Sequence, residues 1–326
     1  MAELTLVQAV NAALARAMQE DARVLVLGED VGRDGGVFRA TDGLLARFGE
    51  ARVLDTPLAE LGIVGLSVGL AAQGMLPVAE IQFSGFIYPA LDQMVNHASR
   101  LRTRTRGRLT CPMVLRSPNG GGIHAPEHHS ESVEAMFAGI PGLRVVIPSS
   151  PAKAYGLLLA AIRDPDPVVF LEPTRSYRAV KEAVEDDGVA LPLDRSFLLR
   201  EGTDLTIVAW GGMVRDALAS AEALAAEGVA AEVIDLATLK PLDTTAILTS
   251  VAKTGRCLIL QEAALTGGYG AEIAACLAGQ GLTSLLAPVE RVAGYDTVMP
   301  LPRLEHHYLP GPPRILAAAR RAMEYR

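Results

Sequence analysis

Cysteine is scarce: three residues, Cys111, Cys257 and Cys276, lie far apart with no C-x-x-C pair. That spacing argues against a disulfide framework and a zinc ribbon, and it suits buried thiols in a reducing cytoplasm. The opening MAELTLVQAV carries no basic stretch ahead of an apolar one, so it does not read as a secretion signal. The most apolar stretch, residues 61–72, is interrupted by Gly62, Gly65 and Gly69. It falls short of the about 20 residues that a bilayer span needs. Long basic runs are missing and the net charge is −7, which argues against nucleic acid. The one basic cluster, residues 100–108, closes a helical pattern and reads as a solvated helix end or a subunit contact. Short-period repeats and low-complexity tracts are absent as well.

What is there is apolar. Half of the 326 residues are hydrophobic and only 21% are charged, so part of the surface is expected to lie against other subunits. VLVLG at 24–28 is a continuous apolar run that reads as a strand buried on both faces, and the largely apolar segments at 77–83, 112–117, 144–148 and 167–172 read as further strands. Helical patterns separate them: 5–20, a glycine-spaced run at 59–75, an amphipathic run at 88–103, and 151–163. The alternation predicts an α/β domain with a mostly parallel sheet over residues 1–175. Periodicity fades over 176–201, where KEAVEDDGVALPLD reads as a linker. A second alternating set follows from 202 to 326: strands at 205–210, 231–236 and 257–262, and helices at 213–227, 244–253 and 268–278. The expectation is a smaller second α/β domain.

Four places could carry chemistry. Glu60 stands on the first turn of an almost wholly apolar helix, directly after Asp55-Thr56-Pro57. A first-turn carboxylate can merely complement the helix dipole. In apolar surroundings it would instead be desolvated, which raises a carboxyl pKa and suits proton sharing. The loop SPNGGGIHAPEHHSES holds Gly120, Gly121 and Gly122, then His124, Glu127, His128, His129 and Glu131. Its spacing fits neither H-E-x-x-H nor a zinc finger; a general acid on a loop beside a cleft suits it better. The segment AIRDPDP pairs Asp164 with Asp166 across a proline, a pattern of turns that could also hold a hard cation. GGYGAE at 267–272 follows a strand, where glycines can cradle phosphate, but the longer fingerprint is lacking.

Taken in order, VLGEDVG, GGVFRAT, DTPLAELGIVGLSVGLAAQG, PVAEIQF, IYPALDQ, HHSES, LRVVIPSSPAKAYGLL, AIRDPDPVVFLEP and RVAGYDTVMP span nearly the whole chain. This series resembles the β subunits of thiamine-diphosphate-dependent 2-oxo acid dehydrogenases, of transketolase-like fold. The resemblance implies an N-terminal domain that binds the cofactor's pyrimidine ring and a C-terminal transketolase-like domain. It implies oxidative decarboxylation of pyruvate or a branched-chain 2-oxo acid, with reductive acylation of a lipoyl group on an acyltransferase; acetoin dehydrogenase is a close relative. Glu60 matches the glutamate that hydrogen-bonds the aminopyrimidine and promotes ionisation of the cofactor, whose thiazolium then serves as electron sink for loss of CO2. His129 matches the loop histidine that orients substrate and donates a proton. Leu58, Gln82 and Phe86 match positions near the pyrimidine. The carbonyls of Met113, Ala161 and Ile162, with Asp164 and Asp166, match a structural potassium site.

Two departures bear on specificity. Ser84-Gly85-Phe86 stands where many members have Ala-Asp-Tyr, and Glu131 stands where many have glutamine. One absence bears on assembly. The family holds Mg2+ and the diphosphate with a G-D-G sequence, and none occurs here. An α subunit in an α2β2 tetramer is therefore expected to supply that half, and the C-terminal domain is expected to dock the acyltransferase core. Against this stand a non-catalytic assembly subunit and a metal hydrolase built on His124, His128 and His129.

Overall fold

The computed structural model describes residues 1–325. The first half contributes β1 (Ala2–Leu4), β2 (Val24–Gly28), β3 (Val53–Asp55), β4 (Leu76–Glu80), β5 (Val114–Asn119), β6 (Arg144–Val146), β7 (Val168–Pro173) and β8 (Glu182–Val184). The second half contributes β9 (Phe197–Arg200), β10 (Leu205–Ala209), β11 (Ala231–Asp235), β12 (Thr238–Lys240), β13 (Cys257–Ala264) and β14 (Glu290–Gly294). The larger sheet runs β12-β6-β7-β5-β4-β2-β3, parallel throughout except for β12. The smaller runs β14-β13-β10-β11-β9, parallel except for β9. Two α/β domains with mostly parallel sheets are thus present.

The central strands are mostly apolar because both faces are covered, and of the charged residues buried among them, Arg116 pairs with both Glu80 and Glu172. Val24 and Val26 enter one core while Leu25 and Leu27 enter the other, as do Val168 and Phe170 against Val169 and Leu171. Helices Leu6–Glu20 and Pro151–Arg163 pack together over one face. Helices Glu60–Ala72 and Tyr88–Asn96 cover the other. That second core continues into the C-terminal domain through Val208, Trp210, Ile234 and Leu239.

Some elements differ from the sequence pattern. The helix expected over 88–103 stops at Asn96, turns through a 3-10 segment at Ala98–Arg100 and resumes over Leu101–Arg104. Gly142 presses on that break: a Cβ there would lie 2.2 Å from the Ser99 carbonyl oxygen. The stretch 176–201 is not a free connector. β8 pairs with β1, Leu191 donates its N–H to the Gly156 carbonyl at 3.0 Å, and β9 belongs to the second sheet. β12, from within the C-terminal half, is an edge strand of the first sheet. Helix Pro312–Glu324 and β14 complete the second domain. No helix among the described residues is long and apolar enough to cross a membrane.

Candidate active site

Strands β2, β3, β4 and β5 end side by side, and such carboxyl ends are where open α/β sheets bind ligands. Glu29 directly follows β2, Thr56 follows β3, Gln82 and Ser84 follow β4, and the histidine loop follows β5. Seven buried side-chain polar atoms among the described residues lack a hydrogen-bond partner. Four of them belong to these segments: Glu29 Oε1, Thr56 Oγ1, Ser84 Oγ and His129 Nδ1. An unmet buried polar atom costs about 1–3 kcal/mol. Four along one rim mark a surface shaped to meet a polar ligand.

Two carboxylates stand there. Glu29 is buried, and burial raises its carboxyl above the usual range, with the charges of Glu60 and Asp30 adding to the shift. Gln82 Nε2 reaches the Glu29 carbonyl at 3.5 Å. Glu60 opens its helix as expected, but it is only partly covered by its own chain. Leu58 beside it is 80% exposed, and Leu61 and Leu66 on the same helix are each 50% exposed. The desolvation expected for Glu60 must therefore come from another surface.

An aromatic cluster lies on the turns that follow β4 and β5. Phe83, Phe86 and His129 cluster with ring centroids 3.9 Å (Phe83–His129), 5.2 Å (Phe86–His129) and 5.8 Å (Phe83–Phe86) apart. His128 flanks His129 at 4.2 Å. Burial, then the neighbouring His128, lowers the His129 pKa below its ordinary value. The two turns that carry these rings touch backbone to backbone: a Cβ on Gly85 would lie 1.9 Å from the His128 carbonyl oxygen. Only glycine permits that approach. Glu131 is partly buried, and burial raises its pKa.

These segments bring a carboxyl (Glu29), an amide (Gln82) and aromatic rings (Phe83, Phe86) together, side chains that could meet the polar edge and a face of a ring-bearing cofactor.

The other candidates fall elsewhere. His124 turns away from His129, and its Nδ1 lies 2.9 Å from Glu305 of the second domain. Among the described residues no group of three or more His, Cys, Asp or Glu side chains is placed to hold a metal ion, and His124 is engaged by Glu305. Asp164 pairs with Arg144 at 2.8 Å and Asp166 with Arg102 at 2.7 Å. Met113 O accepts the Val168 N–H at 3.0 Å, and Ala161 O accepts the Asp164 N–H at 3.3 Å. A potassium ion at this turn, where Ile162 also lies, would rely on carbonyl oxygens with lone pairs to spare, because the carboxylates are engaged by guanidinium groups. The 267–272 glycines have a packing reason. Gly270 N–H donates to Gln261 Oε1 at 2.7 Å, and a Cβ on Gly268 would collide with Gln261 Nε2 at 1.8 Å.

The chain matches the family model described as transketolase, pyrimidine binding domain, over residues 2–180. It matches the model described as transketolase, C-terminal domain, over residues 196–315. It is 48% identical over 326 residues to the pyruvate dehydrogenase E1 component subunit beta of Acholeplasma laidlawii, covering 100% of both chains. It is 48% identical over 325 residues to the protein of the same name from Bacillus subtilis, again covering 100% of both. Among solved structures, a split gene transketolase, an inactive beta4 tetramer, has a TM-score of 0.82 at 25% identity over 99% of each chain.

Proposed function

We propose, from the premise that this chain belongs to the family of pyruvate dehydrogenase E1 β subunits within the transketolase-like superfamily, that it forms the pyrimidine-side half of a thiamine-diphosphate-dependent 2-oxo acid dehydrogenase. The observation that carries the reading is the rim of unmet polar atoms around Glu29, Glu60 and His129, at the ends of four adjacent strands.

Bound thiamine diphosphate would supply a thiazolium able to take up the electrons released when CO2 leaves. The residues of this chain do the rest. Glu60, at the helix head, shares a proton with the pyrimidine ring. Glu29, biased toward its neutral form, adds a second carboxyl without a second full negative charge. Gln82 and Phe86 fix the ring's edge and face, and Leu58 covers it once a partner subunit closes over. His129, biased toward neutral imidazole, offers its ring to the substrate oxygen or the acyl group. Pyruvate is the 2-oxo acid, and a lipoyl group on the acyltransferase takes the acyl unit. The diphosphate and its Mg2+ fall to an α subunit in an α2β2 tetramer, because this chain has no G-D-G sequence. Exposed Leu58, Leu61 and Leu66 belong to that interface.

The test is the tetramer assembled with its α subunit and assayed with pyruvate, 3-methyl-2-oxobutanoate and acetoin. Pyruvate should give the highest kcat/KM. Glu60→Gln should lower kcat by about 10²-fold or more, the scale of a lost general acid–base group. A Glu60→Gln tetramer as active as wild type would sink the catalytic reading.

A further inference from the structure

The second domain reaches into the first at the glycine turn. Glu262, on β13, accepts the N–H of Gly121 on its Oε1 at 2.5 Å. Glu305, heading the short helix Glu305–Tyr308, uses both oxygens. Its Oε1 accepts the N–H of Gly122 at 2.7 Å, and its Oε2 accepts the N–H of His124 at 3.2 Å and lies 2.9 Å from His124 Nδ1. Both carboxylates are buried.

The fit leaves no slack. A Cβ on Gly120 would fall 2.4 Å from Glu262 Oε1, one on Gly121 2.7 Å from Met299 Cε, and one on Gly122 2.8 Å from Arg175 Cβ. His124 has φ +59, a left-handed conformation that a non-glycine residue keeps only when its surroundings impose it. The neck of the loop is closed by Gly120 N–H donating to the Glu131 carbonyl at 2.8 Å. The segment between runs from this turn to His129, whose ring then packs on Phe83 and Phe86.

We propose that Glu262 and Glu305 are positioning residues: from the C-terminal domain they clamp Gly121, Gly122 and His124, and thereby set where His129 stands in the site. Neither touches the reacting atoms. The inference rests on the site reading above only for its effect on turnover. Burial raises the Glu262 carboxyl to about 7, Arg175 opposes the shift and Glu134 and Glu305 reinforce it. Its task toward Gly121 requires one acceptor oxygen, which glutamine retains. Glu305 requires two, and glutamine offers one.

The experiment is hydrogen exchange by mass spectrometry on the assembled tetramer, with peptides spanning residues 120–131, beside steady-state kinetics. Glu305→Gln, Glu305→Ala and Glu262→Ala should each speed exchange in that loop at least tenfold. The strands β2 and β10 should stay at wild-type rates. In these variants kcat should fall about ten- to a hundredfold, the usual cost of roughly 1 Å of misplacement, while the thiamine diphosphate Kd stays within twofold. Glu262→Gln should behave as wild type in both measurements. Wild-type loop exchange in Glu305→Gln and Glu262→Ala would overturn the clamp. A loosened loop with unchanged kcat would overturn the positioning role. If an alanine variant does not assemble, Glu305→Gln decides. A wild-type tetramer inactive on every 2-oxo acid would remove the functional reading, and the exchange rates would still decide whether the carboxylates hold the loop.

Discussion

Three groups at the site are pushed toward their neutral forms, and burial is the first cause in each case. Glu29 and Glu131 are raised, and His129 is lowered. For His129 the sign follows directly. A folded pKa below the unfolded value favours neutral imidazole, so its contribution to stability is present above about pH 6.5 and is lost as pH falls through the folded value. The His129 C2 proton should therefore titrate with a midpoint below 6.5. His128→Asn removes the neighbouring imidazole and should move that midpoint up; an unmoved midpoint would show that His128 does not contribute. At this scale the sequence was informative where a motif marked the residue, as with Glu60 and His129. Glu29 escaped notice although it directly follows VLVLG. A carboxylate after a fully apolar strand is as common at an exposed strand end, and only its burial beside the β4 turn, where Gln82 meets its carbonyl, tells the two apart.

Secondary-structure elements divide by how much pattern they carry. β2 was legible because a strand covered on both sides is apolar throughout, and β5 and β7 were legible from their apolar openings Val114-Leu115 and Val168-Val169-Phe170-Leu171, although buried Arg116 in β5 and Glu172 in β7 pair with each other. β1, β8 and β12 are three residues each and pair with strands remote in sequence, so no local pattern marks them. The break in the 88–103 helix was invisible for a similar reason, since it depends on Gly142 arriving from the next unit. The turns at Ser84–Phe86 and Glu127–His129 rest on one such contact, Gly85 against the His128 carbonyl. Gly85→Ala should force them apart, lower kcat at least tenfold and reduce Tm by roughly 2–8 °C, the shift that about 1 kcal/mol produces in domains of this size range. Gly279→Ala, with nothing within 4 Å of its new Cβ, should leave kcat unchanged. Equal effects from the two substitutions would refute the contact's importance.

The whole molecule is organised around what it does not finish. The rim at the strand ends holds polar atoms without partners, the helix Glu60–Ala72 shows leucines to solvent, and no G-D-G sequence occurs in the chain. Calorimetry on the chain alone should find thiamine diphosphate binding at least tenfold weaker than in the tetramer. Tight, Mg2+-dependent binding without any partner would contradict the division of labour. The two-domain plan was readable from the alternation of apolar strands and helices. The seam between the domains was not, because β12 and the two clamping glutamates cross it from far along the chain.

β12 also matters before the protein is complete. It covers β6 at the edge of the first sheet, yet it belongs to the second half of the chain. At a synthesis rate of roughly 5–20 residues per second, the ribosome leaves the Arg144–Val146 edge unpaired for on the order of ten seconds. An open strand edge is a template for pairing with another chain. The nascent N-terminal domain is therefore most exposed to misassociation during that interval, and a fragment cut between the domains would remain in that state for as long as it exists.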